Sequence, residues 1–134
     1  MIRLHPATAD AMAEGLSAAI DAADRPGTVS FYSGTMPSSI TARAPENILA
    51  RLEFAKPAFA PAKEGKIVAW PIKSGTAAST GRATWARVAD GAGRTIFDCD
   101  VGAGDGALIQ MNSAQFAQGG PVTLESFTLT MRQS

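Results

Sequence analysis

Residues able to ligate metals, act as nucleophiles or move protons are few, and their spacing limits what they can do. The densest group is Asp98-Cys99-Asp100-Val101-Gly102-Ala103-Gly104-Asp105-Gly106, with three carboxylates among three glycines. A calcium loop of the EF-hand type closes its coordination shell with a bidentate Glu at the twelfth position. Counted from Asp98, that position is Ile109, so no metal is expected. Asp98 and Asp100 share one face of a strand, roughly 7 Å apart. A glycosidase pair must instead face across its substrate, so these two carboxylates read as solvent-facing charges.

His5 is the sole histidine. It has no partner for a metal pair, a triad is unsupported, and a structural or solvated role is expected. Cys99 is the sole cysteine, so no intramolecular disulfide forms and the chain is compatible with a reducing compartment. With an inward phase and no basic neighbour, Cys99 reads as a small core residue. The glycines at 91, 93, 102, 104, 106, 119 and 120 match neither a dinucleotide fingerprint nor a P-loop and are assigned to turns. Trp70, Trp85 and Tyr32 are the candidate platforms for stacking on a carbohydrate, although aromatic residues on strands are first expected in the core. No catalytic, cofactor-binding or metal-binding residue is assigned, no cofactor is expected, and the chain is not read as an enzyme.

The elements that position these residues follow from pattern and composition. The chain has 134 residues, 46% hydrophobic and 18% charged, a globular balance. Twelve basic residues offset twelve acidic ones, so neither nucleic acid nor an anionic membrane is expected as partner. The opening MIRLHPATAD lacks a continuous apolar stretch, so no secretory signal is expected there. No apolar run approaches the roughly 20 residues that span a bilayer.

Residues 8–24 form the one expected helix, with Thr8 or Asp10 as cap and an apolar stripe of Met12, Leu16, Ala19, Ile20 and Ala23. Arg25-Pro26-Gly27 stops it. The expected division is an N-terminal helical arm (1–26) and a β domain (27–134). Strands are expected at 27–34 (Val29 and Phe31 on one face), at 48–54 (Ile48, Ala50, Leu52 and Phe54 inward) and at 66–72 (Val68, Trp70 and Ile72 in phase). A hairpin is expected from 82–90 and 94–102, with Phe97, Cys99 and Val101 inward. A strand over 107–112 follows. The proline-bearing stretches 35–47 and 55–65 are loops.

In VTLESFTLTM (122–131) the alternation slips once. Val122 and Leu124 keep one phase; Phe127, Leu129 and Met131 keep the other. One inserted residue moves every later side chain to the opposite face, so a β-bulge at Glu125–Ser126 is expected, or a strand that changes sheets at a corner. Both require Phe127 to be buried. Short strands at this spacing predict a mainly β fold. It would be an antiparallel β-sandwich, jelly-roll or Ig-like, with one N-terminal amphipathic helix and a core containing Leu52, Trp70, Phe97 and Phe127.

The order of four elements resembles a widespread group of small structural proteins of tailed bacteriophages. These elements are VSFYSGTMP (29–37), ILARLEFAKPAF (48–59), GRATWARVADGAGRTIFDCDVG (81–102) and LIQMNSAQFAQGGPVTLESFTLTM (108–131). The resemblance covers roughly 27–131. The sequence departs from the group's pattern at FYSG, at Ala86 after Trp85 and at Pro121. The resemblance implies a non-enzymatic virion protein, a tail or baseplate adaptor or fibre-proximal module, located in the virion and in the host cytoplasm during assembly. It implies contacts with other virion proteins and with copies of itself as a homo-oligomer. The alternatives are a capsid decoration (cement) protein and, from another class, a carbohydrate-binding module with a host glycan as partner.

Overall fold

The computed structural model describes residues 5–39, 48–102, 109–111 and 114–130. Among the described residues one helix, α1 (Pro6–Ile20), precedes eleven strands: β1 (Thr28–Tyr32), β2 (Ala50–Glu53), β3 (Lys66–Val68), β4 (Gly75–Thr76), β5 (Gly81–Arg82), β6 (Trp85–Ala89), β7 (Thr95–Gly102), β8 (Ile109–Met111), β9 (Gln115–Phe116), β10 (Pro121–Val122) and β11 (Leu124–Thr130). The fold is mainly β. Antiparallel pairing links β2-β1-β6-β7, and the order continues through β8, β11 and β3. The step from β7 to β8 is parallel, against the all-antiparallel expectation. Two small antiparallel pairs, β10-β4 and β5-β9, complete the arrangement, and the strand order does not close into a barrel.

The helix begins and ends earlier than expected. His5 is the cap, its Nδ1 accepting from the Ala7 N–H at 3.1 Å, with Pro6 at the first helical position, where a missing N–H costs nothing. The buried face is Ala9, Ala13, Ser17 and Ile20, while Met12 is 49% exposed. Small residues form the contact, so the helix lies close to its neighbours. Ala13 and Ile20 belong to the same core cluster as the strand residues. Three carboxylates on one side of α1 and its C-cap bond to backbone N–H groups of the 58–65 segment: Asp10 to Gly65 (2.6 Å), Glu14 to Ala62 (2.6 Å), and Asp21 to Ala58 (3.1 and 3.2 Å). Lys56 Nζ donates to the Ala23 carbonyl. α1 thus packs on the sheet edge rather than standing apart.

The phase slip in the last strand is a bulge. Leu124 pairs with Met111 and Ser126 with Gln110, which leaves Glu125 as the extra residue. Phe127 is then 2% exposed, meeting Phe54, Phe59 and Phe97 at ring-centroid distances of 5.6, 5.7 and 6.3 Å. Val122, before the slip, pairs with Gly75 in a different sheet. The chain therefore changes sheets as well as bulging. The side chains of Leu129 and Met131 lie outside the described residues, as do 40–47 of the expected 35–47 loop.

Strand β3 has the opposite phase to the expected one. Ile67 is fully buried, whereas Val68 and Trp70 are 48% and 46% exposed. Segment 58–63 turns back onto β3 through Glu64 and Gly65, both at positive φ (55° and 75°), as a two-residue hairpin turn of this type demands. Phe59 bridges Ala69, and its buried ring lies 5.6 Å from that of Phe54 and 5.7 Å from that of Phe127. Trp70 is therefore not part of the core with Leu52, Phe97 and Phe127. Leu49, expected to face outward, is 3% exposed, because Gly81 lies directly against its Cδ2.

Candidate functional site: the outer face of the sheet

Strand register aligns one polar row across four strands. Ser30 of β1 stands opposite Arg51 of β2 and Arg87 of β6, and Arg87 stands opposite Asp98 of β7. Arg51 Nε donates to Ser30 Oγ at 3.0 Å. Arg87 donates through Nε at 2.7 Å and Nη2 at 3.0 Å to the two oxygens of Asp98, the bidentate geometry that makes arginine–carboxylate pairs strong. The side chains of this pair are only 9% and 6% exposed. Its hydrogen bond to Asp98 and the nearby Asp98 charge raise the Arg87 pKa, against the opposing effect of burial. In the neighbouring row Tyr32 and Trp85 stack with centroids 4.6 Å apart, 21° from parallel. The Arg87 guanidinium carbon lies 5.7 Å from the Trp85 ring centre, within cation–π reach.

Two concavities adjoin this face. One of about 370 Å³ opens over Thr28, Ser30, Tyr32, Arg51, Arg87 and Thr95. The other, of about 490 Å³, is a groove along β2 between Arg51–Ala55 and a wall of Pro71, Lys73, Ser74 and Gly75. His5 uses its Nδ1 in the helix cap. The Cys99 thiol is pushed up to about 12, first by burial and then by Asp100 and Asp98, so it is protonated at neutral pH and is not the thiolate that nucleophilic chemistry requires. Among the described residues no three His, Cys, Asp or Glu side chains gather as a metal site.

The structure redistributes the residues singled out in the sequence. Asp98 is not a solvent-facing charge: its carboxylate is held by Arg87 on the central strands. Asp100 is exposed, and Asp105 lies outside the described residues. Trp85 and Tyr32 are 1% and 5% exposed, so neither is an open stacking platform; Trp70 is the one of the three at the surface. Arg51 and Arg87 were not recognised from the sequence. The available signal was Arg87, a lone charge in the middle of WARVA, facing a carboxylate once the hairpin is closed. No family model, no curated protein and no solved structure matches the chain.

Proposed function

We propose that the chain is a non-enzymatic structural protein of a tailed bacteriophage, acting in the tail or baseplate region through protein–protein contacts. The observation that carries the contact role is the pair Val68, the last residue of β3, and Trp70, two residues beyond it, two large apolar side chains each about half exposed. Two such residues at i and i+2 lie roughly 7 Å apart and form the start of a patch that a neighbouring protein can cover. The virion assignment rests on the ordered β pattern over 27–131. The accompanying fold reading is a two-layered sandwich, supported by the ring contacts that set Phe54, just after β2, against Phe127 of β11.

Antibody labelling of purified particles tests the assignment. Label at the tail or baseplate is the expected result. Label over the head, with copies on the order of hundreds per particle, would select the capsid-decoration alternative. Particles without label would refute both. The carbohydrate reading retains only Trp70 of its three platforms, and no second observation favours it.

A further inference from the structure

The cavity of about 370 Å³ over the polar row has its acceptors engaged and its donors open. Both oxygens of Asp98 take the Arg87 guanidinium. Asp90, a buried residue of the wall, accepts from the Ala92 and Arg94 N–H groups at 3.0 and 2.8 Å, and its other oxygen lies 3.8 Å from Arg94 Nε. Arg51 uses Nε on Ser30, and its Nη groups have no partner among the described residues. Ser30 Oγ is the acceptor in that bond, so its own proton is still available to donate. Tyr32 is 5% exposed, and its hydroxyl has no hydrogen-bond partner among the described residues. None of their side-chain N or O atoms is both unpartnered and sealed from solvent, so this hydroxyl opens into the cavity that Tyr32 lines. A polar group so placed calls for a partner. Charge points the same way. Arg87 is matched by Asp98 and Asp90 faces Arg94, which leaves Arg51 as the wall's cation without a counter-ion among the described residues. Glu53, two residues on in the same strand, is not part of the wall.

We infer that this cavity binds a small carboxylate ligand, held by the Arg51 guanidinium with the Tyr32 and Ser30 hydroxyls as further donors. The planar guanidinium fork matches a planar carboxylate, and the bond from Nε to Ser30 already orients it. One uncompensated positive charge balances one carboxylate. A phosphate group, with about −1.5 to −2 at neutral pH, exceeds it. The volume of about 370 Å³ falls in the range of small-molecule sites, roughly 300–1,000 Å³. Neither Val68 nor Trp70 lines the cavity, and the inference does not rest on the virion reading: binding is a property of the chain in solution, and particles without label would leave it standing.

Proton–nitrogen NMR titration of the full chain with acetate, benzoate and glutarate tests it, with inorganic phosphate as the comparison anion. At least one carboxylate is expected to give saturable shifts in the millimolar range or tighter, centred on the Thr28, Ser30 and Arg51 amides and the Arg51 Nε–H. Arg51→Met, at an exposed position, is expected to weaken that binding by roughly ten- to a hundredfold. Tyr32→Phe keeps the ring that stacks on Trp85 and removes only the hydroxyl, with an expected loss of roughly two- to tenfold. Lys73→Met, in the larger groove, should leave the affinity unchanged. The amide spectra of the variants report whether each is folded. Carboxylates that give no saturable shift overturn the inference. So does phosphate binding tighter than every carboxylate, or an affinity that Arg51→Met or Tyr32→Phe leaves unchanged.

Discussion

Replacing Asp98 by alanine would remove the carboxylate that holds the Arg87 guanidinium through two hydrogen bonds on the central strands. Removing one partner of a buried pair costs about 3–5 kcal/mol, because the remaining charge is uncompensated. The Arg87 side chain is 9% exposed and borders the smaller cavity, so water can partly solvate it. The low end, about 3 kcal/mol, is therefore expected. For a chain of 134 residues, with roughly 4 °C lost per kcal/mol, Tm falls by about 12 °C. The companion change Arg87→Met keeps an unbranched apolar chain beside Trp85 but strands Asp98. The double variant Arg87→Met/Asp98→Leu removes both charges at once, and well-packed apolar replacements of buried pairs are often neutral. It is expected to be less destabilised than the sum of the single changes by at least about 2 kcal/mol, a coupling large enough for a double-mutant cycle to resolve. Urea and thermal unfolding of the four proteins measure this. An Asp98→Ala variant within about 1 kcal/mol of wild type, or strict additivity in the double variant, would refute the assignment of the pair as a buried, mutually dependent unit.

Other expectations follow from the same coordinates. The Cys99 thiol is raised from its ordinary value of 9.0 to about 12 in the folded chain. The folded state therefore holds its proton where the unfolded state has lost it, and stability falls as pH rises from about 9 towards 12; Cys99→Ala should flatten that part of the profile, measured by urea unfolding across pH. A Cβ at Gly15 meets nothing within 4 Å, so Gly15→Ala should stabilise the helix by roughly 1 kcal/mol. A Cβ at Gly91 would lie 2.1 Å from the Arg25 carbonyl oxygen, so Gly91→Ala should destabilise the fold, and the two melting curves should move in opposite directions. Replacing Asp10, Glu14 and Asp21 together by alanine should speed hydrogen exchange at Ala58, Ala62 and Gly65 while leaving the β6–β7 amides protected.

Much of the fold was legible where one physical requirement acted alone. A single phase slip in the last strand could be absorbed only by an extra residue or a change of sheet, and Glu125 and Val122 show both. The β6–β7 hairpin followed from two alternating runs around Gly91-Ala92-Gly93. Legibility failed where both faces of an element carried apolar residues. In β3, Ile67 and Ala69 competed with Val68 and Trp70 for the inside, and size favoured the wrong pair. Phe59, eight and ten residues upstream of the two inward positions, pairs with Ala69 and packs its ring against Phe54 and Phe127, and no local pattern reports that. The helix failed similarly: close approach to the sheet selected Ala9, Ala13 and Ser17, which a hydrophobic-stripe reading passes over in favour of Met12. The polar row on the outer face was hidden because it is assembled by register across four strands. Arg51, Ser30, Arg87 and Asp98 are separated by loops whose lengths do not predict their alignment.

The central claim is that a neighbouring protein covers the Val68–Trp70 face in the assembled state. Tryptophan quenching by acrylamide tests it most directly, using a Trp85→Phe variant so that Trp70 alone emits. In the free chain Trp70 should be readily quenched, as its 46% exposure requires, and in purified particles it should be shielded. Equal quenching of Trp70 in the free chain and in particles that contain the protein would contradict the account.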